Sequence, residues 1–287
     1  MERRALVVIL GLASLAFVPS LAAQTAWENP VKKSLREGKP VVGLTLTVPS
    51  PDIAAQACEL GFDFLWIEME HSAITLESAR SIILATRGSR TVPLIRVPVN
   101  ELWTAKRALD AGALGVIFPF TSTPELAAQA VAACRYPPVG KRGSGPGLAV
   151  LRWPAPDGYT DFADQNALVV IIIEQAAAVE RIDEILAVPG IDVVFIGISD
   201  LSFSMGLRGK QDDPKHREAV AKIVAAAQRR NLPVGRPASA AQIPEFLKQG
   251  FLFFQAASDL SMIGAGARPI LEALGKSRPD PRTRPMY

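Results

Sequence analysis

Hydrophobic positions along this chain fall into short, almost uninterrupted runs rich in β-branched residues. Each is stopped by polar residues and followed by a helical period. The runs predict eight strands, at residues 41–47, 62–68, 92–97, 115–120, 168–173, 192–198, 233–237 and 251–257. Helix starts stand between them: Ser50 before Pro51, Thr75 with Glu77 close behind, Asn100, Thr123 before Pro124, and Ser239. Continuous apolar strands alternating with helices imply a parallel sheet covered on both faces.

Eight strand-helix units in about 250 residues match a TIM (β/α)8 barrel in count and length. An open doubly wound sheet would usually carry a glycine-rich phosphate turn after its first strand. Here that strand runs into Thr47-Val48-Pro49-Ser50-Pro51. The one glycine-rich segment, 140–147, lacks the Walker pattern and reads as a flexible loop leading into an irregular stretch to about Asn166. A short helix is expected over 29–39, the barrel over 29–276, and a disordered tail over 277–287.

Composition narrows the class. Of 287 residues, 49% are hydrophobic and 21% charged, which fits a well-packed globular protein. The net charge of +3 is scattered, with no basic run interleaved with aromatics, so nucleic acid is not an expected partner. Arg3 and Arg4 precede an apolar run over 5–18, then Pro19, Ser20, Leu21, Ala22 and Ala23. That is the layout of a signal peptide over 1–23, so a secreted or periplasmic mature protein with no membrane segment after cleavage is expected. Cys58 and Cys134 sit in apolar helical patterns and read as unpaired thiols.

In such a barrel the chemistry collects where strands end. Strand two ends in Glu68, Glu70 and His71, strand three in Arg96, strand five in Glu174, and strand six in Asp200. Neighbouring strands lie about 4.8 Å apart, so Glu174 and Asp200 can converge on one ion, and all-oxygen ligation suits Mg²⁺ or Mn²⁺. Each group also has a structural alternative. Glu174 can cap a helix over 176–188, Asp200 a turn before Leu201, Arg96 can be an ion-pair partner and His71 a core histidine. His216, among Lys215 and Arg217, reads as a surface residue. Together, a divalent cation, an arginine and a histidine can chelate a 2-oxoacid, stabilise its enolate oxygen and move a proton. No lysine ends a strand where a Schiff base would form.

The blocks GFDFLWIEMEH (61–71), VPLIRV (92–97), RYPPVGKRG (135–143) and VFIGISDLS (194–202) occur in that order. Over 29–276 the chain resembles the HpcH/HpaI aldolase family, class II pyruvate aldolases that cleave 4-hydroxy-2-oxoacids into pyruvate and an aldehyde using Mg²⁺, Mn²⁺ or Co²⁺. The resemblance makes Glu174 and Asp200 metal ligands and Arg96 the group on the keto or enolate oxygen. His71 becomes the acid/base, oriented by Glu68, and the backbone at Ser199 and Asp200 holds the substrate carboxylate. Asp110 matches an acid placed near the site across a subunit contact. A homohexamer built from dimers that exchange the last helix, here 261–274, is also implied. Three positions depart from the family: Glu68 where aspartate is usual, Ile172 for a glutamine, and Thr45 for an aromatic bordering the aldehyde pocket. Two alternatives accompany the aldolase reading. One is a citrate-lyase or malyl-CoA-lyase-like enzyme, and the other a secreted protein that binds metal and 2-oxoacid without turnover.

Overall fold

A computed structural model describes residues 27–155 and 157–276. The expected signal peptide and tail lie outside them. Strands β1 (Val41–Leu46), β2 (Phe64–Glu68), β3 (Val92–Arg96), β4 (Gly115–Phe118), β5 (Leu168–Ile173), β6 (Val193–Ile196), β7 (Val234–Pro237) and β8 (Phe251–Ser258) close into a parallel barrel in sequence order. All eight expected strands are present. Four of them, β1, β3, β4 and β6, end a residue or two earlier than the runs do, where the chain has already turned.

Side chains alternate between the barrel interior and the outer helix layer, as strand geometry requires. The interior is aromatic. Phe64 stacks on Phe253 at 4.2 Å between ring centroids, Trp66 lies 4.8 Å from Phe195, and Phe195 meets Phe253 edge-on at 6.3 Å. Such bulk requires small neighbours. A Cβ on Gly43 would fall 2.0 Å from the Phe64 ring, and one on Gly235 2.9 Å from Phe195 and Phe253. The outward positions, including Leu65, Ile67, Ile95, Val169, Ile171 and Val194, form a second core with the helices.

Ser50, Thr75 and Thr123 cap their helices as expected. Asn100 and Ser239 do not. Asn100 turns inward to the Leu126 carbonyl, and the helix begins at Leu102. Ser239 bonds the Gln242 amide oxygen, and its helix begins at Ile243. The preceding helix, Pro30–Arg36, is capped by Asn29, which is buried against Asn166 and ties this helix to the end of the helix Tyr159–Asn166. Cys58 and Cys134 are free thiols, and burial pushes the Cys134 thiol up to about 12.

The segment expected to be a flexible loop is instead pinned. Lys141 N–H donates to the Ala132 carbonyl and Arg142 N–H to the Arg135 carbonyl, an approach so close that a Cβ on Gly140 would meet the Arg135 oxygen at 2.2 Å. Arg142 is buried, its guanidinium 4.6 Å from the Tyr136 ring. A 3₁₀ turn at Ala149–Leu151 and a helix at Tyr159–Asn166 follow, so the stretch expected to be irregular holds two short regular elements. The last helix, Asp259–Ala273, is held at its first turn, where the Asp259 carboxylate accepts the N–H groups of Thr47 and Val48. The helix leaves Leu260, Ile263, Ile270 and Leu271 exposed.

Candidate functional site

The inward-facing positions change character at the upper end of the barrel. Below are Phe64 and Trp66, then Glu68; below are Val92 and Leu94, then Arg96. Val170 and Ile172 are followed by Glu174, Phe195 by Gly197, and Phe253 by Gln255. The strand period that builds the apolar interior therefore delivers a polar layer at its top, and the pairing register sets Glu68 directly opposite Arg96.

Glu68 is buried with all its lone-pair directions occupied. One oxygen accepts the backbone N–H groups of Glu70 at 2.8 Å and His71 at 3.1 Å. The other accepts the Trp66 indole N–H at 3.0 Å and Arg96 Nη1 at 3.3 Å. The sequence-based expectation that Glu68 orients the His71 ring is corrected here. The strand ends at Glu68 and the chain turns at once, so the carboxylate satisfies the N–H groups of that turn. The His71 ring stands at the rim, with its side chain 61% exposed and Nε2 3.7 Å from Glu70 Oε1.

Arg96 is the hub. Its guanidinium contacts Glu68, touches Glu70 through Nη2, and lies 3.7 Å from Glu174 Oε2. Glu174 Oε1 accepts the N–H of Phe120 at 2.6 Å, from a residue held at φ 50°. Its carboxylate faces the barrel mouth and caps no helix, since Gln175 precedes the helix at Ala176–Glu180 without a side-chain bond. Asp200 and Ser199 lie in the first turn of the helix Ile198–Ser204. They close a cavity of about 100 Å³ with Trp66, Arg96, Ile172, Glu174 and Gln255. That is roughly three times the liquid volume of one water, room for a ligand of a few heavy atoms.

Burial pushes the Glu70 and Glu174 carboxyls up to about 7. Arg96 opposes the rise in both, the Phe120 N–H also opposes it in Glu174, and the neighbouring acids, Asp200 among them, add to it. Three carboxyl groups thus lie against one guanidinium, and Asp200 lines the same cavity. This all-oxygen, charge-deficient set fits a divalent cation held by Glu174 and Asp200. Among the described residues no group of three His, Cys, Asp or Glu could hold a metal by itself, so water and substrate oxygens would complete the shell.

The structure therefore gathers Glu68, Arg96, Glu174, Ser199 and Asp200, and sets His71 at the edge. It does not bring Asp110 there within one chain. Asp110 ends the helix Leu102–Asp110, at the opposite end of the barrel, and pairs with Arg142 at 3.1 Å. His216, read from sequence as a surface residue, is buried, with Nδ1 3.1 Å from the Gln211 carbonyl and Nε2 2.9 Å from that of Ile198. Gly197 was not singled out from sequence either. A Cβ there would fall 2.8 Å from Glu174 Oε2, and the signal was its place on the inward period of β6.

An acid-rich (β/α)8 barrel with its pocket at the strand ends defines the class of this protein. The chain belongs to the HpcH/HpaI aldolase/citrate lyase family, whose profile matches residues 42–264. It is 40% identical over 208 residues to a hydroxypyruvate/pyruvate aldolase of Agrobacterium fabrum, covering 70% of this chain and 77% of that one. It is 36% identical over 228 residues to a 4-hydroxy-2-oxovalerate aldolase of Novosphingobium aromaticivorans, covering 78% and 84%. An HpcH/HpaI family protein from Burkholderia cenocepacia superposes with a TM-score of 0.81 at 31% identity, over 86% of this chain and 99% of that one.

Proposed function

We propose that the protein is a divalent-metal-dependent aldolase that cleaves or forms 4-hydroxy-2-oxoacids through the enolate of pyruvate or a related 2-oxoacid. The observation that carries this reading is Arg96 beside Glu174 and Asp200 around one small cavity. The cation, when bound, would polarise the oxoacid carbonyl. Arg96 then faces the oxygen that gains charge as the C3–C4 bond breaks and C3 keeps the electron pair. The N–H groups in the first turn at Ser199 and Asp200 receive the substrate carboxylate. Ile172 and Phe195 wall the cavity against water. His71 Nε2, beside Glu70, takes the proton leaving the 4-hydroxyl. The segment 1–23 supports placing this activity outside the cytoplasm.

One observation favours a second reading, a binding protein without turnover: the His71 ring has no hydrogen bond to Glu68, and Ile172 offers none to substrate. Cleavage of 4-hydroxy-2-oxovalerate, followed by pyruvate release with Mg²⁺, Mn²⁺ or Co²⁺ present, separates the two. Turnover that falls at least about 100-fold in His71→Ala is expected for the aldolase. Metal-dependent pyruvate binding with no turnover would select the binding protein.

A further inference from the structure

Next to the oxoacid cavity lies a second, larger one of about 440 Å³, and the two share Ile198, Pro237 and Gln255 in their walls. In an aldolase this adjoining space receives the aldehyde, so its assignment rests on the aldolase reading. Its lining is rich in uncharged hydrogen-bonding groups: the hydroxyls of Thr45, Ser239 and Ser258 and the amides of Gln242 and Gln255. Among the described residues Arg236 is the one charged residue of this wall, and no carboxylate or aromatic side chain lines the space. The Arg236 guanidinium lies on the Phe246 ring, 3.6 Å from the centroid, and 5.2 Å from that of Phe251, outside the barrel.

Gln255 and Thr45 stand at the boundary. Both lie on the inward strand period, and the Gln255 amide donates to Thr45 Oγ1 at 2.9 Å. That bond uses one amide hydrogen. It leaves the second hydrogen, the amide oxygen and the Thr45 hydroxyl proton for a ligand. An alkyl chain in this space would leave these groups unpaired at a loss of about 1–3 kcal/mol each, whereas hydroxyls on a ligand would satisfy them. We infer that the aldehyde partner is a neutral, hydroxylated aldehyde, and that Thr45 and Gln255 read the hydroxyls next to its carbonyl. In the forming direction the pyruvate methyl carbon loses one proton and bonds the aldehyde carbon. The aldehyde oxygen takes up a proton, and the ligand hydroxyls stay intact.

Glyceraldehyde and propionaldehyde have the same carbon chain and differ by two hydroxyls, so their ratio isolates this recognition. Condensation of each with pyruvate is measured with the full mature protein and Mg²⁺ or Mn²⁺, alongside solvent-deuterium exchange of the pyruvate methyl group. The expected kcat/KM ratio favours glyceraldehyde by about 100-fold or more, which follows from leaving two polar groups of the site unpaired at about 1–3 kcal/mol each. In Gln255→Leu and Thr45→Val that ratio, taken within each variant, falls at least tenfold, mainly through KM for glyceraldehyde. Exchange with a ratio near one, or one favouring propionaldehyde, overturns the inference and leaves the aldolase reading standing. A ratio unchanged in both variants removes Thr45 and Gln255 as its source and overturns it as well. Absence of exchange overturns both.

Discussion

Arg96 carries one positive charge among Glu68, Glu70 and Glu174 in a nearly buried site, so both folding and the proposed chemistry depend on it. Removing one partner of a buried ionic group leaves uncompensated charge, worth about 3–5 kcal/mol. Arg96→Met is expected to lower unfolding stability by about 3 kcal/mol in denaturant titrations at pH 8, and to abolish pyruvate turnover. The acids give a pH dependence of definite sign. Glu70 and Glu174 titrate near 7 when folded, against an ordinary 4.5, so the folded state binds their protons more tightly. Their contribution is fully present below about pH 4.5 and lost as pH rises through about 7. In chelator these groups should make thermal stability lower at pH 8 than at pH 6. At one fixed concentration, a hundredfold its Kd at pH 8, a divalent cation should restore about 2.7 kcal/mol there and less at pH 6, where the acids bind protons in its place. A metal-induced gain larger at pH 6 would contradict the site. Arg96, Glu174 and Asp200 were legible in the sequence because each terminates an apolar run. The relation of Glu68 to His71 was not, since which atoms meet is set by the turn after the strand.

At the scale of elements, the helix Ile198–Ser204 carries the substrate-facing turn, and His216 of the helix Pro214–Gln228 fastens it through the Ile198 carbonyl. Both partners are acceptors and a single ring N–H donates to one of them, so His216→Ala would leave one hydrogen bond unmade, at about 1–3 kcal/mol. The expected result is a lower melting temperature and a KM for pyruvate that rises more than kcat falls. An unchanged KM would remove His216 as a positioning residue. Its charged sequence neighbours hid its place, yet the helical period was readable: His216, Ala219, Ile223, Ala226 and Ala227 form the buried stripe. The segment after Cys134 was illegible for another reason. Its order comes from backbone contacts and from Tyr136 and Tyr159 around Arg142, long-range relations that no local pattern encodes.

For the whole molecule, the (β/α)8 architecture was readable because strands buried on both faces must be continuously apolar, and eight such runs fit one closed barrel. The last helix is different. It is amphipathic with Leu260, Ile263 and Ile270 exposed, and Asp259 is its one buried residue. We propose that a second copy of the chain covers that face by exchange of this helix, the arrangement the resemblance implies. Light scattering is expected to show an oligomer, and Ile263→Glu combined with Ile270→Glu to shift it toward monomer. Wild type that is monomeric at micromolar concentration would contradict the exchange.

The central claim is that Glu174, Asp200 and Arg96 form a metal-dependent site for making the enolate of a 2-oxoacid. Proton magnetic resonance of pyruvate in deuterated buffer tests it most directly. Loss of the methyl signal is expected with Mg²⁺ or Mn²⁺, to stop on chelation, and to fall at least about 100-fold in Glu174→Gln. Exchange that persists in chelator, or at the wild-type rate in Glu174→Gln, would contradict it.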